Sequence, residues 1–370
     1  MIQPRSQINQ IAMYSPGKPV EELKREKGLS KIIKMASNEN PFGYSPLAAE
    51  AIQSEMKELP FYPEVTSPIL AEKLANRLEV SPDQIIFGSG SDEVIRLLSR
   101  TYINEGDEVV MAGVTFPRYK TNVVIEGGVP VEIDMQNGTH DLDAMYQAIN
   151  EKTKMVFVCN PNNPTGTIVE KEALRRFIEK VPSHVMLVMD EAYYEYADSS
   201  QYLETLPLLN QYENMVILRT FSKVYGLAAL RIGYGLMSSE MVSHLRKVKE
   251  PFNVNRLAEA AASASLDDDE FMHESINLNR EGREYLNNSF DHMNLGYFPT
   301  QTNFIMVDVG APAEEVYEYL LDEGIIIRPG HLMGYPTMIR VTIGKKEDNQ
   351  RFIECLQAYL EKKNANVNQS

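Results

Sequence analysis

The chain has 370 residues, of which 43% are hydrophobic and 24% charged, with a formal net charge of −16. That size supports a large core and about two domains, and the acidic balance argues against a nucleic-acid surface or an anionic membrane surface. No run approaches the ~18 apolar residues of a membrane span, residues 1–5 hold no apolar signal core, and the six histidines form no ligand-spaced cluster, so a cytoplasmic protein without metal, nucleic-acid or membrane partners is expected.

Residues 1–35 read as a polar arm with one amphipathic stretch at Val20–Lys27. It cannot bury itself alone and is expected to lie on another surface, such as a partner subunit. Ala36–Gly43 is a loop by its Asn, Pro and Gly content. Helices are expected at Leu47–Leu59 and Pro68–Leu78, with Tyr62-Pro63 between them. A short strand at Ile85–Phe87 runs into Gly88-Ser89-Gly90-Ser91-Asp92-Glu93, and a helix is expected from Val94 to Ile103. A strand, a Gly/Ser turn and a helix N-terminus make an anion site, because free N–H groups point at the ligand. The plainer alternative is a helix cap by Ser91 or Asp92. Glu108–Ala112 is the next strand, followed by Thr115-Phe116-Pro117-Arg118-Tyr119. Phe116 reads from the sequence as core packing, and Arg118 has no assignable role.

Strands at Val129–Ile133, Met155–Cys159, Val185–Met189, Met215–Leu218 and Ile232–Leu236 alternate with helical stretches such as Leu142–Ile149 and Lys171–Lys180. That alternation predicts a parallel sheet with helices on both faces. Three strand ends carry chemistry. After Cys159 comes a turn of prolines and amides, Asn160-Pro161-Asn162-Asn163-Pro164-Thr165-Gly166. The run Val185–Asp190 ends in a carboxylate, followed by Glu191-Ala192-Tyr193, where open α/β sheets bind ligands. There Asp190 could keep a pyridinium nitrogen protonated. After Met215–Leu218 come Thr220, Ser222, Lys223 and, eight residues past the lysine, Arg231. One amine, two hydroxyls and a guanidinium suit a phosphorylated aldehyde: Lys223 can form a Schiff base, while Ser222 and Arg231 grip the phosphate.

The helix at Met241–Lys249 ends before Pro251 at an expected hinge. Helices follow at Leu257–Leu266 and Glu270–Met293, joined by Asp267-Asp268-Asp269, read as a solvated turn. The last third mixes strands at Asn303–Val309, Gly324–Arg328 and Met338–Thr342 with helices at Ala313–Glu323 and Lys346–Lys362, an α+β pattern. Asn364–Ser370 is a polar tail expected to be disordered. Cys159 and Cys355 sit in apolar runs far apart and are expected to be buried thiols rather than a bridge.

The N-P-T-G turn, the D-E-A-Y strand end and the S-K pair with Arg231 downstream, in that order, resemble the fold-type I aminotransferases that use pyridoxal phosphate. The resemblance covers nearly the whole chain. Tyr14-Ser15-Pro16-Gly17-Lys18, Ser37-Asn38-Glu39-Asn40-Pro41, Phe61-Tyr62-Pro63 and Ile339-Arg340-Val341-Thr342-Ile343-Gly344 are most similar to its histidinol-phosphate branch. The resemblance implies an α/β fold: an arm at 1–35, a large cofactor domain at 36–250 with a mostly parallel sheet sandwiched by helices, and a smaller α+β domain at 251–370.

It also implies residue roles. Lys223 is the catalytic amine, Asp190 the ring-nitrogen partner, and Asn163 and Tyr193 the groups at the ring hydroxyl. Ser91, Asp92, Thr220, Ser222 and Arg231 surround the phosphate, Phe116 stacks on the ring, and Tyr62 reaches across a homodimer. Arg340 matches the arginine that grips the substrate anion, with Arg328 one strand away and Tyr14 contributed by the arm. The implied substrates are histidinol phosphate and the 2-oxoglutarate/glutamate pair. Aromatic amino acids are the rival, since their carboxylate would take the Arg340 position; decarboxylation or β-elimination on the same fold is another. A non-enzymatic binding protein would need a broken site, and no expected group is missing. A nucleotide-binding Rossmann protein lacks its G-x-G-x-x-G spacing.

Overall fold

The computed structural model describes residues 2–13, 17–29 and 31–367. In chain order its strands are β1 (Ile33–Lys34), β2 (Ile85–Gly88), β3 (Glu108–Ala112), β4 (Val129–Ile133), β5 (Thr153–Cys159), β6 (Met186–Asp190), β7 (Met215–Thr220), β8 (Gly233–Leu236), β9 (Phe304–Asp308), β10 (Ile325–Ile326), β11 (Arg328–Pro329) and β12 (Met338–Thr342). The helices are α1 (Val20–Lys27), α2 (Pro46–Glu55), α3 (Pro68–Leu78), α4 (Ser91–Tyr102), α5 (Arg118–Ile125), α6 (Leu142–Gln147), α7 (Lys171–Lys180), α8 (Ser239–Val248), α9 (Arg256–Ser265), α10 (Asp269–His292), α11 (Ala313–Asp322) and α12 (Lys346–Val367).

The large sheet has seven strands in the order β2-β8-β7-β6-β5-β3-β4. Its centre, β5, β6 and β7, consists of apolar runs covered on both faces, with every residue of β6 and β7 buried. Two hydrophobic clusters lie on its two sides, one built with α2, α3, α7 and α9, the other with α4, α5 and α8. Edge strand β4 carries Pro130, as an edge strand can, because no ladder donor is lost to a neighbour there. β3 through β7 run parallel, but β8 is antiparallel to both β7 and β2. The parallel reading of Ile232–Leu236 is therefore corrected. Residues 221–232 hold no crossover helix, only a short 3₁₀ turn at Ala228–Leu230, and a connection so short returns the chain antiparallel.

The second core is the three-stranded antiparallel sheet β11-β12-β9 packed with α10, α11 and α12. β1 pairs in parallel with β10, and Ile33 and Met35 enter this core. Leu23 of α1 is fully buried with Leu321 and Ile326, so the helical part of the arm packs on its own chain. Val254, Ala258, Ala261 and Leu266, which lie past residue 250, pack into the large core, and so does Phe304. The run Asp267-Asp268-Asp269 is a docking node: Asp268 caps α10 and accepts from Ser45 Oγ, while Asp267 pairs with Lys73 and Asp269 with Arg77. Two further boundaries differ. Gly324–Arg328 splits into β10 and β11, and α12 extends through Val367 into the expected tail.

Candidate active site

β4 lies outside β3, and β5 returns to the other side of β3, so the carboxyl ends of β3 and β5 diverge at a topological switch point. A cavity opens beyond these ends. Twelve of the fourteen expected site residues, together with Cys159 and Ala192, line it as follows. Phe116 follows β3, Cys159 ends β5 with Asn163 beyond it, and Asp190 ends β6 with Ala192 and Tyr193 beyond it. Thr220 ends β7 and Ser222, Lys223 and Arg231 follow it, Ser91 and Asp92 open α4, and Arg328 and Arg340 come from the small sheet. The two exceptions are tyrosines. Tyr14 lies outside the described residues. Tyr62 is 78% exposed and stacks on Phe252 with ring centroids 4.6 Å apart, away from this cavity.

Lys223 is half-buried on the cavity wall, and desolvation first, then the nearby Arg340 and Arg231 guanidiniums, lower its amine to about 8. A neutral, nucleophilic amine is thereby accessible close to neutral pH. Asp190 is 3% exposed and burial pushes its carboxyl up to about 6. Two neutral donors oppose that rise: Tyr119 donates its hydroxyl to Oδ2 at 2.5 Å and the Ala192 N–H donates to Oδ1 at 3.2 Å. Tyr119 is fully buried, stacked on Phe157 at 4.4 Å and edge-on to Phe116 at 5.6 Å. Cys159 is pushed up to about 12 by burial, which makes it an inert wall of the cavity.

At the other end, the turn before α4 is open. Its N-cap is Gly90, with no side-chain cap, so neither Ser91 nor Asp92 seals the helix, which begins three residues before the expected Val94. Gly90 sits at φ +79°, and a Cβ there would meet Arg231 Nη2 at 2.6 Å. Only a glycine lets this guanidinium lie against the turn. Arg231 Nη1 also donates to Ser222 Oγ at 3.4 Å. First-turn N–H groups, a serine hydroxyl and a forked cation thus converge, the donor set of a phosphate group. Thr220 supports it by accepting the Ser222 N–H at 3.0 Å.

The third wall is the small sheet. Arg328 on β11 is directly opposite Arg340 on β12 in the antiparallel ladder, which puts both side chains on one face. Arg340 is 8% exposed and donates to Asn163 Oδ1 at 2.6 Å and to the Ala36 carbonyl at 2.8 Å. Loop 36–40 joins the two units. Asn38 donates from Nδ2 to the Tyr193 hydroxyl oxygen at 3.0 Å, while its backbone N–H and side-chain oxygen meet Thr342 Oγ1. Because Tyr193 Oη accepts from Asn38, its own proton is left to donate elsewhere.

Sequence reasoning assigned no function to Tyr119, Asn38 or Arg118. The structure gives each a partner: Asp190, Tyr193 and Asp92. A tyrosine following the expected ring-stacking Phe116 and an asparagine in the S-N-E-N-P loop were visible, but their partners are 71 and 155 residues away.

The fold and this cavity, lined by a lysine of lowered pKa, a buried aspartate and a phosphate-type turn, define a class of protein. The chain belongs to the aminotransferase class I and II family, whose model matches residues 30–356. Within it, the chain is 48% identical over 359 residues to the histidinol-phosphate aminotransferase of Geobacillus sp. (strain WCH70), covering 97% of this chain and 98% of that one. The histidinol-phosphate aminotransferase of Brevibacillus brevis is 49% identical over 355 residues, covering 96% and 98%. Among solved structures, histidinol-phosphate aminotransferase from Sinorhizobium meliloti in complex with pyridoxal-5'-phosphate superimposes with a TM-score of 0.90 at 27% identity, covering 98% of each chain.

Proposed function

We propose that this protein is a pyridoxal-phosphate-dependent aminotransferase that moves the amino group of L-histidinol phosphate to 2-oxoglutarate. The residues present fit the cofactor: the glycine-lined turn at 90–92 with Ser222 and Arg231 suits its phosphate, and buried Asp190 suits its ring nitrogen. Tyr193 and Asn163 would sit at its ring hydroxyl and Phe116 against its ring. The chemistry the cofactor supplies when bound is an aldehyde on an electron-withdrawing ring, able to carry an amino group between two half-reactions. The protein supplies the rest. Lys223 Nζ, lowered by burial, accepts the α-carbon proton of the amino donor in one half-reaction and would deliver a proton to the α-carbon of the new amino acid in the other. Asp190 holds the proton on the ring nitrogen, and the Tyr119 hydroxyl holds Asp190 in its ionised form.

The observation that carries the substrate reading is the in-register pair Arg328 and Arg340 on the wall of the Lys223 cavity. Both substrates of the proposed pair, a phosphate monoester and a dicarboxylate, bring an anion beyond the reacting carbon. Two guanidiniums side by side serve either. The named activity of relatives near half-identical over almost the whole chain supports the same reading. A second copy of this chain is the proposed partner, in a cytoplasmic homodimer. Exposed Leu47, Met56, Leu59, Phe61, Tyr62 and Ile69 support it, since an apolar surface of this kind favours association. Tyr62 would then reach the other subunit's cofactor.

The test is to offer histidinol phosphate, phenylalanine, tyrosine and aspartate separately with 2-oxoglutarate and compare kcat/KM. Histidinol phosphate should lead, and Arg328→Ala should weaken it far more than phenylalanine. A preference for phenylalanine would replace this reading with an aromatic aminotransferase. Mixing Tyr62→Ala with Lys223→Ala protein should restore activity through hybrid dimers, whereas a fully active monomer in sedimentation would refute the shared site.

A further inference from the structure

Arg118 is the first residue of α5, where the helix dipole opposes a cation. Its Nε donates to both carboxylate oxygens of Asp92, at 3.1 and 3.2 Å. Asp92 is in the first turn of α4 and lines the same cavity as Gly90, Ser91, Ser222 and Arg231. A carboxylate at that position suits the dipole of α4, but it is a like charge for any phosphate bound at the same helix end. The neighbouring Glu93 is engaged elsewhere, accepting from the Ser89 N–H, Arg96 and Asn253. Asp92 therefore presents the negative charge at this turn, and Arg118 is the cation set against it.

We propose that Arg118 is a charge-compensating residue that allows an acidic helix turn to bind the phosphate of the cofactor, by neutralising Asp92. The inference rests on the reading of the 90–92 turn as the phosphate site. Asp92 keeps its favourable place at the end of α4, and Arg118 removes the repulsion that its carboxylate would exert on an incoming dianion. Both side chains are about one-third exposed, at 32% and 36%, so solvent moderates the effect and salt screens it further.

The experiment is an equilibrium titration of cofactor-free protein with pyridoxal phosphate and, separately, with pyridoxal, which lacks the phosphate, followed by visible absorbance. Arg118→Gln should weaken pyridoxal phosphate by about three- to tenfold at low salt, leave pyridoxal unchanged, and lose most of that difference in high salt. Adding Asp92→Asn to Arg118→Gln should restore the affinity for pyridoxal phosphate, and Arg118→Lys should retain most of it. Equal weakening of both ligands by Arg118→Gln would mean that the pair only braces the helices, and overturns the proposal. So would failure of Asp92→Asn to rescue. If the unmodified protein binds the two ligands equally, the turn is no phosphate site, and the underlying reading fails with the proposal.

Discussion

Asp190 and Glu191 are adjacent carboxylates on opposite sides of one strand end, and their surroundings differ in kind. Glu191 is 1% exposed and takes two hydrogen bonds from Arg219, at 3.0 and 2.8 Å, and one from Thr205 Oγ1. Arg219 in turn lies 3.7 Å over the ring of Tyr194. On that side the charge is matched at full strength within the protein, and the ends of β6 and β7 are clamped together. On the cavity side, the partners of Asp190 among the described residues are a tyrosine hydroxyl and a backbone N–H. Two neutral donors orient a carboxylate without cancelling its charge, so burial raises its proton affinity and leaves it suited to a cation brought in by a ligand. A closed ion pair fixes the scaffold, and an incompletely matched carboxylate beside it faces the cavity.

Changing each side separately sharpens this contrast. The largest effect is expected on the cavity side at the nucleophile: Lys223→Ala should abolish turnover and the adduct fixed by borohydride, while leaving the unfolding midpoint in denaturant close to that of the cofactor-free parent. An adduct mapped to another lysine would break the assignment. Asp190→Asn should still take up cofactor but lower kcat on the order of 10²–10³-fold, the cost of losing one aimed electrostatic group. Near-normal turnover would remove Asp190 from the site. On the clamped side, Glu191→Gln should instead cost about 3–5 kcal/mol of folding stability, because Arg219 is left buried without its counter-charge. If it lowers kcat per folded molecule as much as Asp190→Asn does, the two sides are not separate.

Smaller effects concern titration. The folded value of Asp190, about 6, lies above its ordinary 3.8, so the folded cofactor-free protein holds this proton more tightly than the unfolded chain. The resulting stabilisation is fully present below the ordinary value and is lost as pH rises through about 6. Relative to the cofactor-free parent, Asp190→Asn should therefore gain stability between about pH 4 and about pH 7, read by urea unfolding. A flat difference would mean that the carboxyl is not raised. Tyr119→Phe keeps the stack on Phe157 but removes a donor that favours the carboxylate, so Asp190 should rise further and cofactor binding should weaken first on the acidic side. A change of about 1 kcal/mol is expected from one lost hydrogen bond. An unchanged pH profile of cofactor affinity would show that the hydroxyl does not govern Asp190.

Much of the site was legible because its parts are local. An apolar strand that stops at a polar residue announces both the element and the position of that residue at the sheet's edge, as at Asp190, Asn163 and Thr220–Lys223. The Gly/Ser turn before α4 was legible for the same reason, although only the structure removed the alternative of a cap by Ser91 or Asp92. The direction of β8 was misread because alternation of strands and helices does not record the short link that enters it. The three aspartates at 267–269 read as solvated because their partners, Ser45, Lys73 and Arg77, are some 190 residues or more away.

By itself, then, the sequence determined which groups stand at the strand ends and what chemistry they carry, since strand periodicity and breaker residues act over a few positions. Tertiary structure alone decided the pairings. Arg328 faces Arg340 only through the register of β11 on β12, Tyr119 reaches Asp190 only once α5 packs beside β5, and Arg118 meets Asp92 only where the first turns of α4 and α5 adjoin. No local pattern encodes such contacts, because each depends on two elements meeting at one distance and angle, which the packing of the whole core sets.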